Sequence, residues 1–177
     1  MSEYPKMERC IICRTELLWK EYKETHEADG FEVTLAVNFL TMLLSRFDGM
    51  YEEYAIEPPY AQLATELKKY AKITYYPEDG GQTTEFQLCD KKLIHYLRNG
   101  FDHIHIRDSK NDGYISKLHI KSRKNLCSYE YEFDASNLCN FLETIMNILL
   151  KSLNRGDYYC QNCKYNKKDA DYVNPDC

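Results

Sequence analysis

The sequence predicts a mainly helical domain: a bundle of four to five helices with a small three-stranded antiparallel β-meander inserted before the last long helix. Three observations predict it. Apolar residues recur at helical spacing over most of the chain up to Phe101. The period then changes to two across about residues 103–133. It returns to helical spacing for one final long stretch.

The elements follow in order. Ile11, Ile12, Leu17, Leu18 and Tyr22 place a first helix over residues 8–27, and Gly30 interrupts it. Phe31 to Phe47 is a second helix and the most apolar one, with little polar face, which suits a bundle centre or a dimer face. Asp48-Gly49 and Pro58-Pro59 bracket an expected loop. Tyr60 to Ile73 is a third helix, and Pro77-Glu78-Asp79-Gly80-Gly81 a turn. Leu88 to about Phe101 is a fourth helix. Ile104 and Ile106, then Tyr114 to Ser122, then Ser128 to Phe133 alternate as strands. Asn111-Asp112-Gly113 and Lys124-Asn125 are the expected turns between them. Asp134 or Ser136 caps a last helix running to about Leu153, with Leu138, Phe141, Leu142, Ile145, Ile148 and Leu149 as its apolar stripe. Residues 1–155 thus read as one domain and residues 156–177 as a polar, Cys-bearing tail.

With a formal charge of −5, no global field draws the chain to nucleic acid, so any such role must rest on a local patch. No apolar run approaches a membrane span, and Met1-Ser2-Glu3-Tyr4-Pro5 does not open a signal peptide. A cytoplasmic location without membrane attachment is expected. There a disulfide framework is disfavoured for the eight cysteines, leaving metal binding or buried thiols.

The fourth helix ends in Arg98-Asn99-Gly100-Phe101-Asp102-His103. Arginine pairs bidentately with phosphate and stays charged. Histidine takes or gives a proton near neutral pH, and an asparagine amide can orient either group. These are the groups that metal-free RNA cleavage needs. Composition alone would produce Arg-Asn-x3-His only about 0.01 times in such a chain. The bland reading is an ordinary helix C-terminus: Arg98 a solvated cation, Gly100 the terminator, His103 the start of the next element.

A helical bundle bearing Arg-Asn-x3-His, then a small sheet, then a long helix resembles the HEPN superfamily (higher eukaryotes and prokaryotes nucleotide-binding domains). Phe31-Glu32-Val33-Thr34-Leu35 opening the apolar helix, with Leu97-Arg98-Asn99-Gly100-Phe101-Asp102-His103, is more narrowly similar to plasmid- and defence-associated HEPN nucleases. The resemblance covers roughly residues 8–153. It implies a metal-independent endoribonuclease with no catalytic cofactor, acting as a homodimer whose motif helices face each other. It implies Arg98 and His103 as the catalytic pair, with Asn99 in support. It also implies a toxin or phage-defence (abortive-infection) role, and an antitoxin or nucleotidyltransferase as a partner. Two positions depart from an easy fit. Gly100 weakens the helix by about 1 kcal/mol relative to alanine. Asp102 sets an anion beside the phosphate site unless a cation engages it.

Five positions along an ideal helix put Arg98 and His103 ~140° apart. Either the helix ends or distorts at Gly100, or two subunits pool their motifs. His105 also satisfies a looser spacing from Arg98, and His95 could line the same cleft; each has a surface reading that is more ordinary. Arg107, Lys117, Lys121 and Arg123, with Lys110 and Lys124, make the meander locally basic and the candidate RNA-binding surface, or else one solvated sheet face. Tyr129 and Tyr131 could stack on bases, although alternating aromatics usually face a core.

Cys160-Gln161-Asn162-Cys163 has zinc-knuckle spacing, and Cys10-Ile11-Ile12-Cys13 offers a second pair, with Cys177 as a further ligand. If the termini meet, four thiolates would hold one structural zinc; otherwise Cys10 and Cys13 are buried thiols. Cys89, Cys127 and Cys139 are expected in the core. Against the nuclease stand two other classes: a non-catalytic HEPN-type RNA- or nucleotide-binding or partner subunit, and a zinc-stabilised interaction protein whose motif is accidental.

Overall fold

The computed structural model describes residues 7–26, 31–53, 57–77, 81–83, 88–103, 106–111, 114–124 and 127–153. It is an α+β fold of five helices and one four-stranded antiparallel sheet among these residues. In chain order the elements are α1 (Met7–Thr25), α2 (Glu32–Glu53), α3 (Tyr60–Tyr70), β1 (Ala71–Tyr76), α4 (Asp90–Asp102), β2 (Ile106–Asn111), β3 (Tyr114–Lys124), β4 (Cys127–Asp134) and α5 (Ala135–Leu153). His105, the interiors of both expected hairpin turns and all of residues 154–177 lie outside the described residues.

α2 runs beyond its expected end. It passes through Asp48-Gly49 instead of breaking there. Phe47 and Tyr51, one turn apart, are both buried, and their packing holds the extra turns against the low helix propensity of glycine. The helix is a bundle centre: Ala36, Leu40, Leu43 and Leu44 are buried, and it packs against α1, α4 and α5. α5 in turn touches α1, α2, α3 and two strands. Trp19 of α1 donates to the Glu143 carboxylate of α5 at 2.8 Å, and Lys23 bonds the same oxygen at 2.6 Å.

The sheet has four strands, not three. The third helix stops at Tyr70, and Ala71 already has extended backbone (φ −120°, ψ 137°). The Lys68-Lys69 pair in the last turn suits a helix C-terminus. From there Ala71 and Ile73 alternate inward while the strand pairs antiparallel with β4, Ala71 opposite Phe133 and Tyr76 opposite Ser128. The strand order is β1-β4-β3-β2, a meander with β1 added at one edge.

One sheet face is core. Leu118, Ile120, Tyr129, Tyr131 and Phe133 are buried there, so Tyr129 and Tyr131 are packing residues. The Tyr131 hydroxyl, carried into the interior, donates to the Leu93 carbonyl of α4 at 3.0 Å. α4 itself crosses β3 closely. A Cβ on Gly100 would stand 2.5 Å from Ile120 Cγ2, so only glycine permits the approach. Gly100 therefore does not terminate the helix, as the C-terminus reading supposed; α4 continues through it to Asp102.

Candidate functional site on helix α4

α4 buries Leu93, Ile94, Leu97, Gly100 and Phe101 and turns its opposite arc outward. At ~100° per residue, Arg98, His95, Asn99 and His103 follow one another around that arc at about 0°, 60°, 100° and 140°. Because the helix is regular through Asp102, Arg98 and His103 do not meet within one protomer. His103 is the C-cap, with φ −97° and ψ 10°; its N–H bonds the Asn99 carbonyl at 3.1 Å. The Asn99 and His103 side chains are exposed.

Arg98 is held by two carboxylates. Its Nη1 donates to Asp48 Oδ2 at 2.7 Å, and its Nε to Asp102 Oδ2 at 3.2 Å. Those bonds use two of the five guanidinium donors and leave three for another acceptor. Asp102 is therefore engaged, one turn along the same helix, on Arg98. The trio carries a net negative charge before histidine is counted, so a phosphate would have to compete with both carboxylates.

The other oxygen of Asp48 is equally engaged. Tyr60 donates its hydroxyl to Oδ1 at 2.6 Å, and His95 Nε2 lies 3.3 Å from the same oxygen and 3.3 Å from the Tyr60 hydroxyl. Burial raises the Tyr60 phenol well above its ordinary 10, and the Asp48 carboxylate raises it further, so it remains a donor. An open cleft of about 480 Å³ borders this cluster, lined among others by Asp48, Tyr60, Lys91 and His95. Arg98, Asn99 and His103 are not among its lining residues.

Sequence reasoning placed Asp48 in a loop and did not single out Tyr60. The signal that could have found Asp48 was the apolar period itself: Phe47 and Tyr51 continue the stripe of Leu40, Leu43 and Leu44 past Asp48-Gly49.

The expected RNA-binding residues share the outer sheet face, but acidic neighbours interleave with them. Arg107 stands opposite His119, which stands opposite Glu132. Lys117 bonds Glu132 at 2.7 Å and lies 3.7 Å from Asp134, while His119 lies 3.0 Å from Glu130. The Lys117 bond holds the Glu132 carboxyl below its ordinary value against the opposing effect of burial. Lys121 stands over the Tyr76 ring. Arg107 and Arg123 are exposed and form no ion pair among the described residues.

The expected metal ligands are not brought together among the described residues, which contain no group of three or more candidate ligands. Cys160 and Cys163, with Cys177, lie outside them, and of the Cys10-Cys13 pair only the Cys13 side chain is described, partly buried on α1. Cys89 is not core: it is the exposed N-cap of α4. Cys127 and Cys139 are partly buried, and burial pushes the Cys139 thiol up to about 11. No described helix is long and apolar enough to cross a membrane.

No family model matches this chain, and neither a curated protein nor a solved structure is significantly similar to it.

Proposed function

We propose that this protein is a metal-independent endoribonuclease of the HEPN type, acting as a homodimer and serving as a toxin or phage-defence effector. The observation that carries the reading is the outward arc of α4. It presents a braced arginine with three unused donors, an exposed amide and an exposed imidazole within about 140°. These groups fall short of converging on one atom. A second copy facing the first across a two-fold axis would complete the set.

The chemistry follows from those groups. One imidazole takes the 2′-hydroxyl proton while another protonates the departing 5′-oxygen. The arginines neutralise charge that develops on the phosphoryl oxygens. The products are a 2′,3′-cyclic phosphate and a 5′-hydroxyl, so DNA is spared. Arg107 and Arg123 on the sheet supply backbone contacts.

Purified protein incubated with mixed RNA, with and without EDTA, beside Arg98→Ala and His103→Ala, tests this. EDTA-resistant cleavage lost in both variants is the expected result. Cleavage surviving both variants would sink it. A second reading has one observation in its favour: Asp48 and Asp102 both occupy Arg98. A folded dimer that binds RNA but never cuts it would make the protein a binding or partner subunit.

A further inference from the structure

We propose, resting on the ribonuclease reading, that His95 is the residue that takes the 2′-hydroxyl proton, and that it acts beside the Arg98 of its own protomer. His103 then serves as the proton donor to the leaving oxygen.

The placement comes first. His95 and Arg98 are three residues apart on α4, hence on one face. They approach opposite oxygens of a single carboxylate: Arg98 donates to Asp48 Oδ2 at 2.7 Å, and His95 Nε2 stands 3.3 Å from Oδ1. A guanidinium and an imidazole tied to one carboxylate lie side by side and can reach one phosphodiester. His103, ~80° further around the helix, is not part of that grouping.

For the neutral ring, the bonding pattern also selects a tautomer. Asp48 Oδ1 can only accept. Tyr60 directs its hydroxyl proton at that oxygen, so toward His95 the phenolic oxygen can likewise only accept. Both groups near His95 Nε2 are therefore acceptors, and Nε2 carries the hydrogen. That leaves the lone pair on Nδ1, which has no hydrogen-bond partner among the described residues. A ring that faces acceptors at one nitrogen and keeps a lone pair at the other is the arrangement a general base requires. The side chain is 36% exposed and lines the 480 Å³ cleft, so substrate can reach it. The charged and titratable groups around it are Asp48, Tyr51 and Glu52 from α2, Glu57 before α3, Tyr60 from α3, and Lys91 and Arg98 from α4.

The step balances without a co-reactant. Nδ1 of His95 receives the 2′-hydroxyl proton as that oxygen bonds to phosphorus. The bond from phosphorus to the 5′-oxygen breaks, and that oxygen takes a proton from the His103 imidazolium. One proton has moved onto the protein and one off it, and exchange with water resets both rings.

The test measures steady-state cleavage of mixed RNA from about pH 5 to 9 by full-length wild type and four variants: His95→Gln, His95→Ala, Arg98→Ala and His103→Ala. Glutamine keeps an amide donor for Asp48 but cannot accept a proton. His95→Gln is expected to lose about 10²- to 10⁴-fold in kcat with KM little changed, and to lose the acid limb of the pH–rate profile. Added imidazole should restore His95→Ala and not Arg98→Ala. Wild-type kcat and an intact acid limb in His95→Gln, with cleavage abolished in Arg98→Ala and His103→Ala, would overturn the His95 assignment alone. No RNA cleavage by wild type would overturn it together with the ribonuclease reading. Wild type labelled with ¹⁵N at histidine gives a second measurement, independent of variant folding. The Nε2–H tautomer of the His95 ring supports the assignment, and the Nδ1–H tautomer refutes it.

Discussion

Asp48 accepts a 2.7 Å hydrogen bond from Arg98, fifty positions further along the chain, and so ties α2 to the helix that carries the motif. Tyr60 and His95 converge on its other oxygen. Asp48→Ala would leave these donors without their shared acceptor. Because the carboxylate is 26% exposed and water can replace part of it, the expected loss is about 1–2 kcal/mol. Urea denaturation of the variant and wild type measures it. A loss near zero would mean that solvent replaces Asp48 fully.

Asp102 should behave oppositely. Its bond to Arg98 Nε is an exposed contact within one helix and contributes less than about 1 kcal/mol. Asp102→Ala frees one of the five guanidinium donors and removes an anion beside the proposed phosphate site. RNA binding at low salt should tighten roughly 3- to 10-fold, with the melting temperature little changed. Fluorescence anisotropy with a labelled RNA decides it, and weaker binding would show that Asp102 positions Arg98 rather than blocking it.

Gly100→Ala sets helix propensity against packing. Alanine would favour the helix by about 1 kcal/mol, yet its Cβ meets Ile120 Cγ2 at 2.5 Å. Overpacking in such a contact costs about 1–3 kcal/mol, so a net destabilisation is expected. In the double variant with Ile120→Ala, the combined loss should be smaller than the sum of the single losses. Strict additivity would show that α4 simply shifts away from the sheet.

On the sheet, Arg107→Ala and Arg123→Ala should weaken RNA binding and each reduce the slope of log affinity against log salt by about 1. Lys117→Ala should do less, because Glu132 and Asp134 already engage that cation. Equal effects at all three positions would count against a graded surface.

Alkaline pH should destabilise the fold through its raised tyrosines, among them Tyr51, Tyr60 and the buried Tyr131. Burial raises Tyr51 to about 12, partly offset by its Ser152 bond, and raises Tyr60 further with help from Asp48. Their folded values exceed the unfolded 10, so the stability they contribute is complete below about pH 10 and is lost as the pH climbs toward 12. Guanidinium midpoints at rising pH check this, and Tyr51→Phe should flatten the decline.

The helices and the meander were legible because periodicity reports burial directly. The stripe of α5 from Leu138 to Leu149 and the alternation of Tyr129, Tyr131 and Phe133 needed no knowledge of what they pack against. The misplaced boundaries share a cause. At Asp48-Gly49 local propensity argued for a break, and the burial of Phe47 and Tyr51 outweighed it. At Tyr70-Ala71 a strand follows a helix without a connecting loop, and a pairing partner sixty residues away decides the junction. Cys89 looked apolar and became an exposed cap.

By itself the sequence determined which residue types end α4: a permanent cation, an amide and an imidazole at set spacings. Helical geometry alone then separates Arg98 from His103 by ~140°. Only the tertiary structure decided what surrounds them, since hydrogen bonds between distant segments leave no periodic trace in a chain. The packing of α2 and α3 against α4 brought Asp48 and Tyr60 to Arg98 and His95. It set three groups around one carboxylate: the Arg98 guanidinium, the Tyr60 hydroxyl and the His95 ring.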